Sequence, residues 1–222
     1  IVKGSVNMKE IMSNSHLLQY GVDDVKLEKI ETRFKGFFKL DEYSLTHTLY
    51  SGEKSELITR EIFERGDAVV LMPYDPVSDS VILQEQFRPG AVGREQTPWM
   101  LEFVAGMFGE NEQPIDVAIR EAEEEAGLII PEQDVLPVME YFSSPGGTTE
   151  YMHVYVGKVD ASKAGGIFGL PEEGEDILVH VVTREYALEL LSAGKIRNAA
   201  TIIGLQWLAL NYQNLQQQWQ DK

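Results

Sequence analysis

The 222-residue chain contains no cysteine, no long apolar run and no apolar signal segment at its start. The absence of cysteine excludes a disulfide framework and a thiolate metal site, and it fits a reducing compartment, so we expect a cytoplasmic protein. The longest apolar stretches, such as AVVLM and ILVHVV, have the length of strands and fall far short of the roughly 20 residues of a membrane-spanning helix. We therefore expect no association with a membrane.

Basic residues are also scarce, with 19 Lys and Arg against 36 Asp and Glu, a formal charge of −17. Nucleic acid is an unfavourable partner for such a chain, because binding phosphates in bulk requires a basic surface. Any ligand that carries phosphate needs divalent cations or a local arginine cluster to be bound here.

The apolar patterns predict strands, then one helix, then more strands and two final helices. Residues 1–20 are poorly specified, strands are expected between Lys35 and Gly66, and DAVVLMPYDPVSDSVILQEQF reads as a hairpin. PWMLEFVAGM is a further apolar run that ends at Gly106. Later strands are predicted in DVLPVMEYF, YMHVYVGKV and DILVHVV, and helices at Arg184–Ala193 and from Asn198 to about Leu215. This order predicts an α+β or layered α/β/α domain.

The stretch AIREAEEEAGL lies in the middle helix, which Pro114 begins and Gly127 ends. At helical spacing Glu121, Glu124 and Glu125 share one side of the helix, and Glu123 points elsewhere, to water. Like charges at these spacings repel one another. Three such carboxylates suit Mg²⁺ or Mn²⁺, although a solvated acidic face is the commoner meaning of this pattern alone.

The residues around these glutamates favour a metal site over a solvated acidic face. The string from Gly106 to Leu128 fits G-x5-E-x7-R-E-U-x-E-E-x-G-U, where U is apolar and the fixed letters include Glu112 and Arg120. This is the signature of the Nudix hydrolase family, which the chain therefore resembles. Glu112 and Arg120 are expected to form an ion pair that ties the loop to the helix. Gly106 permits a tight backbone path that leaves the carbonyl of Ala105 free for a metal, and Gly127 ends the helix in the left-handed conformation.

Outside this string the chain is similar to the bacterial ADP-ribose pyrophosphatases of the family. The resemblance is carried by TREIFERGDAVVLMPYDP, by EQFRPGA with TPWMLEFVAGM, and by SSPGGTTE, in which Pro145 resembles a proline that marks ADP-ribose preference. It implies a Nudix α/β/α sandwich with a mixed sheet for residues 66–222. For residues 1–65 it implies a small antiparallel β domain that swaps between the subunits of a homodimer.

The resemblance also implies residues that bind the substrate. Arg60 and Glu61 look like contacts to the adenosine side, Arg88 like the arginine that holds the diphosphate, and Phe37 like an aromatic residue against adenine. Glu150 resembles a contact to the terminal ribose. An ordinary cross-strand pair remains the alternative for Arg60 and Glu61, and a place in the core remains the alternative for Phe37.

The loop GLPEEGEDI resembles a mobile segment that supplies a general base and a further metal ligand. Glu173 aligns with the base and Glu175 with the ligand, but a slip of one residue would give the base role to Glu172. An exposed acidic turn is the alternative for each of them. The four histidines have no paired ligand spacing, and His180 reads as a strand residue.

Together these features predict hydrolysis of ADP-ribose to AMP and ribose 5-phosphate. Two or three Mg²⁺ ions, or Mn²⁺, are expected on the carboxylates of Glu121, Glu124, Glu125 and Glu175 and on the Ala105 carbonyl. Three alternatives stay open: another nucleoside diphosphate sugar as substrate, an inactive nucleotide sensor of the same fold, and an acidic scaffold without a ligand.

Overall fold

The computed structural model describes residues 17–94 and 97–220, which form two compact units. The first unit comprises the described residues up to Arg65 together with Ser144–Thr149, and the second comprises Gly66–Ser143 with the residues from Glu150 onward. Most of the poorly specified N-terminal stretch, including His16, lies outside the described residues. Among the described residues, no helix is both long and apolar enough to span a membrane.

The first unit is an antiparallel sheet of three strands, β1 (Val25–Lys35), β2 (Lys39–His47) and β3 (Ile58–Glu64), in that order. The strand β1 was not predicted, because charged residues interrupt it and all of its side chains are exposed or half-buried. Ser144–Thr149 joins this unit through β3: the Phe63 N–H donates to the Gly147 carbonyl at 2.8 Å, and the Thr148 hydroxyl donates to the Phe63 carbonyl at 2.9 Å.

The second unit is built on a mixed sheet with the strand order β10-β11-β5-β4-β9-β8. Its strands are β4 (Ala68–Asp75), β5 (Ser80–Phe87), β8 (Val135–Phe142), β9 (Tyr151–Lys158), β10 (Gly166–Phe168) and β11 (Ile177–Thr183). The central pair β4–β9 is parallel, whereas β5 pairs antiparallel with β4 and β11. The predicted hairpin and the mixed α+β class are confirmed.

The apolar run PWMLEFVAGM forms two strands rather than one, β6 (Trp99–Glu102) on β5 and β7 (Val104–Met107) on β4. The strands separate at Phe103, a buried residue whose N–H donates to the hydroxyl of Thr201 at 3.0 Å instead of to a neighbouring strand. The chain thereby passes from one strand partner to the next and brings Glu102 and Ala105 to opposite sides of this break.

Helices cover both faces of the sheet, as a layered α/β/α domain requires. They are α1 (Pro114–Ala126), α2 (Arg184–Ser192) and α3 (Ala199–Gln220). Alternate β4 residues face opposite sides, so Val69 and Leu71 join the core that includes α1, and Val70 and Met72 join the core that includes α3. The last helix runs beyond the predicted end at Leu215 because its final turn buries Trp219.

Candidate active site

The helix α1 begins and ends as the sequence predicts. Pro114 occupies the first turn, and the N–H of Gln113 donates to the Asp116 carboxylate at 3.4 Å. Gly127 has φ 64° and donates its N–H to the Glu123 carbonyl at 2.9 Å. A Cβ at this position would lie 2.4 Å from a ring atom of Phe168, so both the backbone conformation and the available space require glycine.

Gly106 is required for a reason that the motif alone does not reveal. Its φ lies outside the left-handed region, but an added Cβ would stand 1.8 Å from Oε1 of Glu121. The Glu121 carboxylate therefore packs directly on the backbone of β7, where only glycine leaves room. The glycine acts by giving space to an acidic side chain rather than by permitting an unusual turn.

Glu125 is the most buried acid of α1, with 2% of its surface exposed. Its Oε2 accepts hydrogen bonds from the N–H of Ala105 and from the amide of Gln84, each at 3.1 Å. Burial raises the pKa of Glu125 to about 8 and that of Glu121 to about 7, and the negative charge of Glu175 contributes to both shifts. Ionising these two carboxylates together is therefore costly, because burial removes the water that would screen their repulsion.

Arg120 connects the loop before α1 to these carboxylates. Its guanidinium binds Glu112 through two bonds, at 2.9 and 3.0 Å, which confirms the predicted ion pair. Its Nη1 also donates to Glu121 at 2.8 Å and to Glu124 at 3.0 Å, while Nη2 reaches the Met107 carbonyl at 3.2 Å. The pKa of Arg120 is raised, chiefly by the hydrogen bonds to Glu112.

The donor set suits a hard divalent cation. Buried carboxylates with raised pKa values bind a proton or a cation to relieve their repulsion. Gln84 and Gln86 are buried on β5, and the Oε1 atom of each has no hydrogen-bond partner among the described residues. In this side-chain arrangement, no three acidic or histidine side chains of the described chain form a ready-made metal group, in keeping with the engagement of Glu121 and Glu124 by Arg120. Oxygen ligands of these types nevertheless match Mg²⁺ and Mn²⁺.

The predicted loop approaches α1 from its C-terminal end. Gly169 donates its N–H to the Glu124 carbonyl at 3.3 Å, and the Glu175 carboxylate accepts the N–H of Leu170 at 3.1 Å. Pro171–Glu173 form a short 3-10 helix in which Glu172 and Glu173 are exposed. Glu175 thus acts electrostatically on Glu121 and Glu125, whereas Glu172 and Glu173 face solvent.

Arg88 follows β5 and binds a buried carboxylate that sequence reasoning missed. Its Nε and Nη2 both donate to Oε2 of Glu102 at 2.8 Å, and Asn198 donates to the other oxygen of Glu102 at 3.0 Å. Glu102 stands beside Gln84 in the pairing of β6 with β5. A polar residue inside each of the apolar runs VILQEQF and WMLEF is the signal that could have identified Gln84 and Glu102.

Three predicted substrate contacts lie in the first unit. Phe37 is 90% exposed and packs edge-on against Phe38 with ring centroids 4.8 Å apart, so a place in the core is wrong for it. Arg60 and Glu61 are neighbours in β3 opposite Tyr43 and Glu42, and their side chains leave opposite faces of the sheet. They do not form a cross-strand pair with each other.

The predicted ribose contact Glu150 and the strand residue His180 lie in the second unit, whereas Pro145 lies in the first. Glu150 accepts a hydrogen bond from the hydroxyl of Ser143 and precedes β9. His180 lies in β11 as predicted, and its ring binds Glu85 at 2.9 Å. Within this unit the structure brings together Glu121, Glu124, Glu125 and Ala105, with Glu175 close enough to raise the pKa of Glu121 and Glu125.

Comparison with known proteins identifies relatives over most of the chain. The model of the NUDIX domain matches residues 64–202. An ADP-ribose pyrophosphatase of Escherichia coli (strain K12) is 52% identical over 200 residues, which cover 90% of this chain and 95% of the relative. One from Haemophilus influenzae is 44% identical and covers 92% of this chain and 95% of its own length. A crystal structure of an ADP compounds hydrolase superposes with a TM-score of 0.66 at 18% identity, covering 88% of this chain and 98% of the other, which supports the fold.

Proposed function

The chain belongs to the Nudix family of hydrolases, and from that premise we propose that it cleaves the pyrophosphate of ADP-ribose to give AMP and ribose 5-phosphate. The observation that supports ADP-ribose as the substrate is the 52% identity to an ADP-ribose pyrophosphatase over 90% of this chain. The intact string from Gly106 to Leu128 and the buried carboxylates of α1 support catalysis rather than ligand sensing alone, since a sensor has no need of this arrangement.

The reaction depends on divalent metal, with Mg²⁺ proposed as the ion, Mn²⁺ as a substitute, and two or three ions in the complete site. The ligands are Glu121, Glu124 and Glu125, joined by the Ala105 carbonyl and by Glu175. When bound, the metal neutralises the diphosphate and lowers the pKa of a water molecule towards neutrality.

Glu173 serves as the general base and accepts the proton of the attacking water. The support for this role is its exposed position on the 3-10 helix Pro171–Glu173, apart from the buried carboxylates of α1. A base that lay against the metals would hold its proton too weakly to be useful at neutral pH. Glu172 is also exposed, so the two residues are the candidates that mutagenesis must separate.

Arg88 holds the diphosphate, and Phe37, Arg60 and Glu61 bind the adenosine side, with Glu150 at the terminal ribose. The exposed ring of Phe37 is free of the core and available for stacking. The first unit also supports a homodimer, because its sheet leaves large apolar side chains exposed. Those on β1 are Val25, Leu27, Ile30 and Phe34. A cytoplasmic location stays a prediction of the sequence.

The decisive experiment compares turnover of ADP-ribose, GDP-mannose and ADP-glucose by the purified chain with Mg²⁺ and with EDTA. We expect ADP-ribose to have the highest kcat/KM and EDTA to abolish activity. A preference for GDP-mannose or ADP-glucose would overturn the proposal that ADP-ribose is the substrate. Tight ADP-ribose binding without turnover would favour the sensor, and light scattering at the monomer mass would exclude the dimer.

A further inference from the structure

Arg88 is held along one edge by a buried acid. Glu102 is only 3% exposed, whereas the side chain of Arg88 keeps 40% of its surface in solvent. Both bonds from the arginine, Nε and Nη2 at 2.8 Å, end on the same oxygen of Glu102. A guanidinium has five N–H groups, so this contact uses two of them and leaves the two on Nη1 and one on Nη2.

The other oxygen of Glu102 is held by a second partner, Asn198. Asn198 donates its amide to this atom at 3.0 Å, and its own Oδ1 accepts the Thr201 N–H at 3.0 Å in the first turn of α3. Asn198 is therefore at once a cap for α3 and an anchor for Glu102. The Thr201 hydroxyl completes the connection, since it also binds Asn198 and accepts the Phe103 N–H next to Glu102.

A connection of this kind needs an explanation beyond stability. A carboxylate on β6 loses its hydration when it is buried, and an apolar residue would fill the same space without that cost. The arginine that it binds, however, is half in water, where an isolated ion pair contributes little. What the arrangement does provide is a guanidinium with one fixed orientation.

We propose that Glu102 and Asn198 are positioning residues for Arg88, which leave its Nη1–Nη2 edge as the one that meets a diphosphate. This inference rests on the proposed function, in which Arg88 binds the diphosphate. That edge carries two parallel N–H groups, which match two phosphate oxygens in a bidentate contact. Prior orientation lowers the entropy lost on binding, so it acts on affinity for the diphosphate.

The test is a double-mutant cycle on binding that does not depend on turnover. The dissociation constant of ADP-ribose is measured by calorimetry in EDTA for the wild type, Glu102→Gln, Arg88→Ala and the double variant. We expect Arg88→Ala to weaken binding about 10- to 100-fold and Glu102→Gln about 3- to 10-fold. In the Arg88→Ala background we expect Glu102→Gln to change affinity by less than about twofold, because Glu102 acts through Arg88.

Two further variants separate positioning from folding. Asn198→Ser keeps a capping oxygen for α3 but is too short to reach Glu102, so we expect weaker ADP-ribose binding with a nearly unchanged melting temperature. Glu189→Gln changes an exposed acid on α2 in the same way as Glu102→Gln, and its dissociation constant should equal that of the wild type.

Equal effects of Glu102→Gln in both backgrounds would overturn the inference, as would tighter binding by Glu102→Gln, which would mean that Glu102 competes with the ligand for Arg88. Wild-type binding of ADP-ribose in EDTA, together with no hydrolysis once Mg²⁺ is restored, would end the proposed function and leave the cycle valid. If ADP-ribose does not bind, the cycle is measured with GDP-mannose and ADP-glucose. A wild type that binds none of these diphosphates would overturn the inference as well.

Discussion

The helix α1 and the loop from Pro171 to Asp176 both carry clustered acids, but they expose them to different degrees. On α1, Glu125 is 2% exposed and burial raises its pKa to about 8. On the loop, Glu172 and Glu173 stand in solvent on a short 3-10 helix. Glu175 is intermediate, with its carboxylate bound to the Leu170 N–H.

The difference teaches how one type of side chain can serve two chemical tasks. A buried carboxylate is charged only at a cost, which a divalent cation offsets. A carboxylate in water needs no cation to be charged and can turn to accept a proton. The same amino acid is therefore suited to hold metal on α1 and to act as a base on the loop, and each prediction below tests one side of this division.

The largest effect is expected for Glu125→Gln, which keeps the shape of the buried side chain and removes its charge. We expect kcat to fall by about 10³-fold or more, because the loss of a metal ligand weakens charge neutralisation in the transition state. Steady-state turnover of ADP-ribose at saturating Mg²⁺ measures it. Glu123→Gln, on the exposed side of the same helix, is the control, and equal losses in both variants would remove the distinction between buried and exposed acids.

The next largest effect is expected for Glu173→Gln on the loop. Loss of a general base lowers kcat by about 10²- to 10³-fold and leaves KM nearly unchanged. Glu172→Gln, one residue away and also exposed, should lower kcat by less than about threefold, a limit taken from the small effects of typical surface substitutions. If the two results are exchanged, Glu172 is the base.

A smaller effect is expected for Gly106→Ala, which removes no carboxylate from the site. The new Cβ would overlap Glu121, since the present separation is 1.8 Å, so the carboxylate has to move. We expect kcat to fall about 10- to 100-fold, as for a displacement of about 1 Å at a catalytic group. Gly21→Ala, where nothing lies within 4 Å of the added Cβ, should be silent in the same assay. Unchanged turnover in Gly106→Ala would show that catalysis does not depend on the position of the Glu121 carboxylate.

The smallest effect is expected for Glu175→Gln, because this residue belongs partly to each group. We expect the Mg²⁺ concentration for half-maximal activity to rise about tenfold, with kcat restored at saturation. A metal titration at fixed ADP-ribose measures the change. Glu125→Gln in the same titration should keep its lowered kcat at every Mg²⁺ concentration, and recovery of kcat would mean that Glu125 and Glu175 act in the same way.

The helix and its motif were predictable because their signals are local. Pro114, Gly127 and the spacing of the glutamates define α1 and its acidic side within one stretch of sequence, and the ion pair of Arg120 with Glu112 follows from the same stretch. β1 was not predicted because a strand with no buried residue has little apolar alternation to detect. The two strands in PWMLEFVAGM were merged because the break at Phe103 depends on Thr201, a residue 98 positions away.

The chemistry of individual acids was less predictable than their positions. The sequence groups Glu121, Glu124 and Glu125 as equals, but Glu125 accepts hydrogen bonds from Ala105 and Gln84, whereas the other two accept theirs from Arg120. Glu102 and Asn198 could not be linked to Arg88 from sequence, since they are 14 and 110 positions from it and meet only in the folded chain. Burial and long-range hydrogen bonding set these roles, and neither has a local pattern.

The hydrogen bonds of Ser144–Thr149 to Phe63 limit how this chain can be divided. The backbone passes between the two units after Arg65, after Ser143 and again after Thr149, so no single cut releases either unit whole. A fragment that starts at Gly66 retains a six-residue segment whose Gly147 carbonyl and Thr148 hydroxyl have lost their partners on β3. A chimaera that exchanges the N-terminal region with that of a relative must therefore replace this segment at the same time.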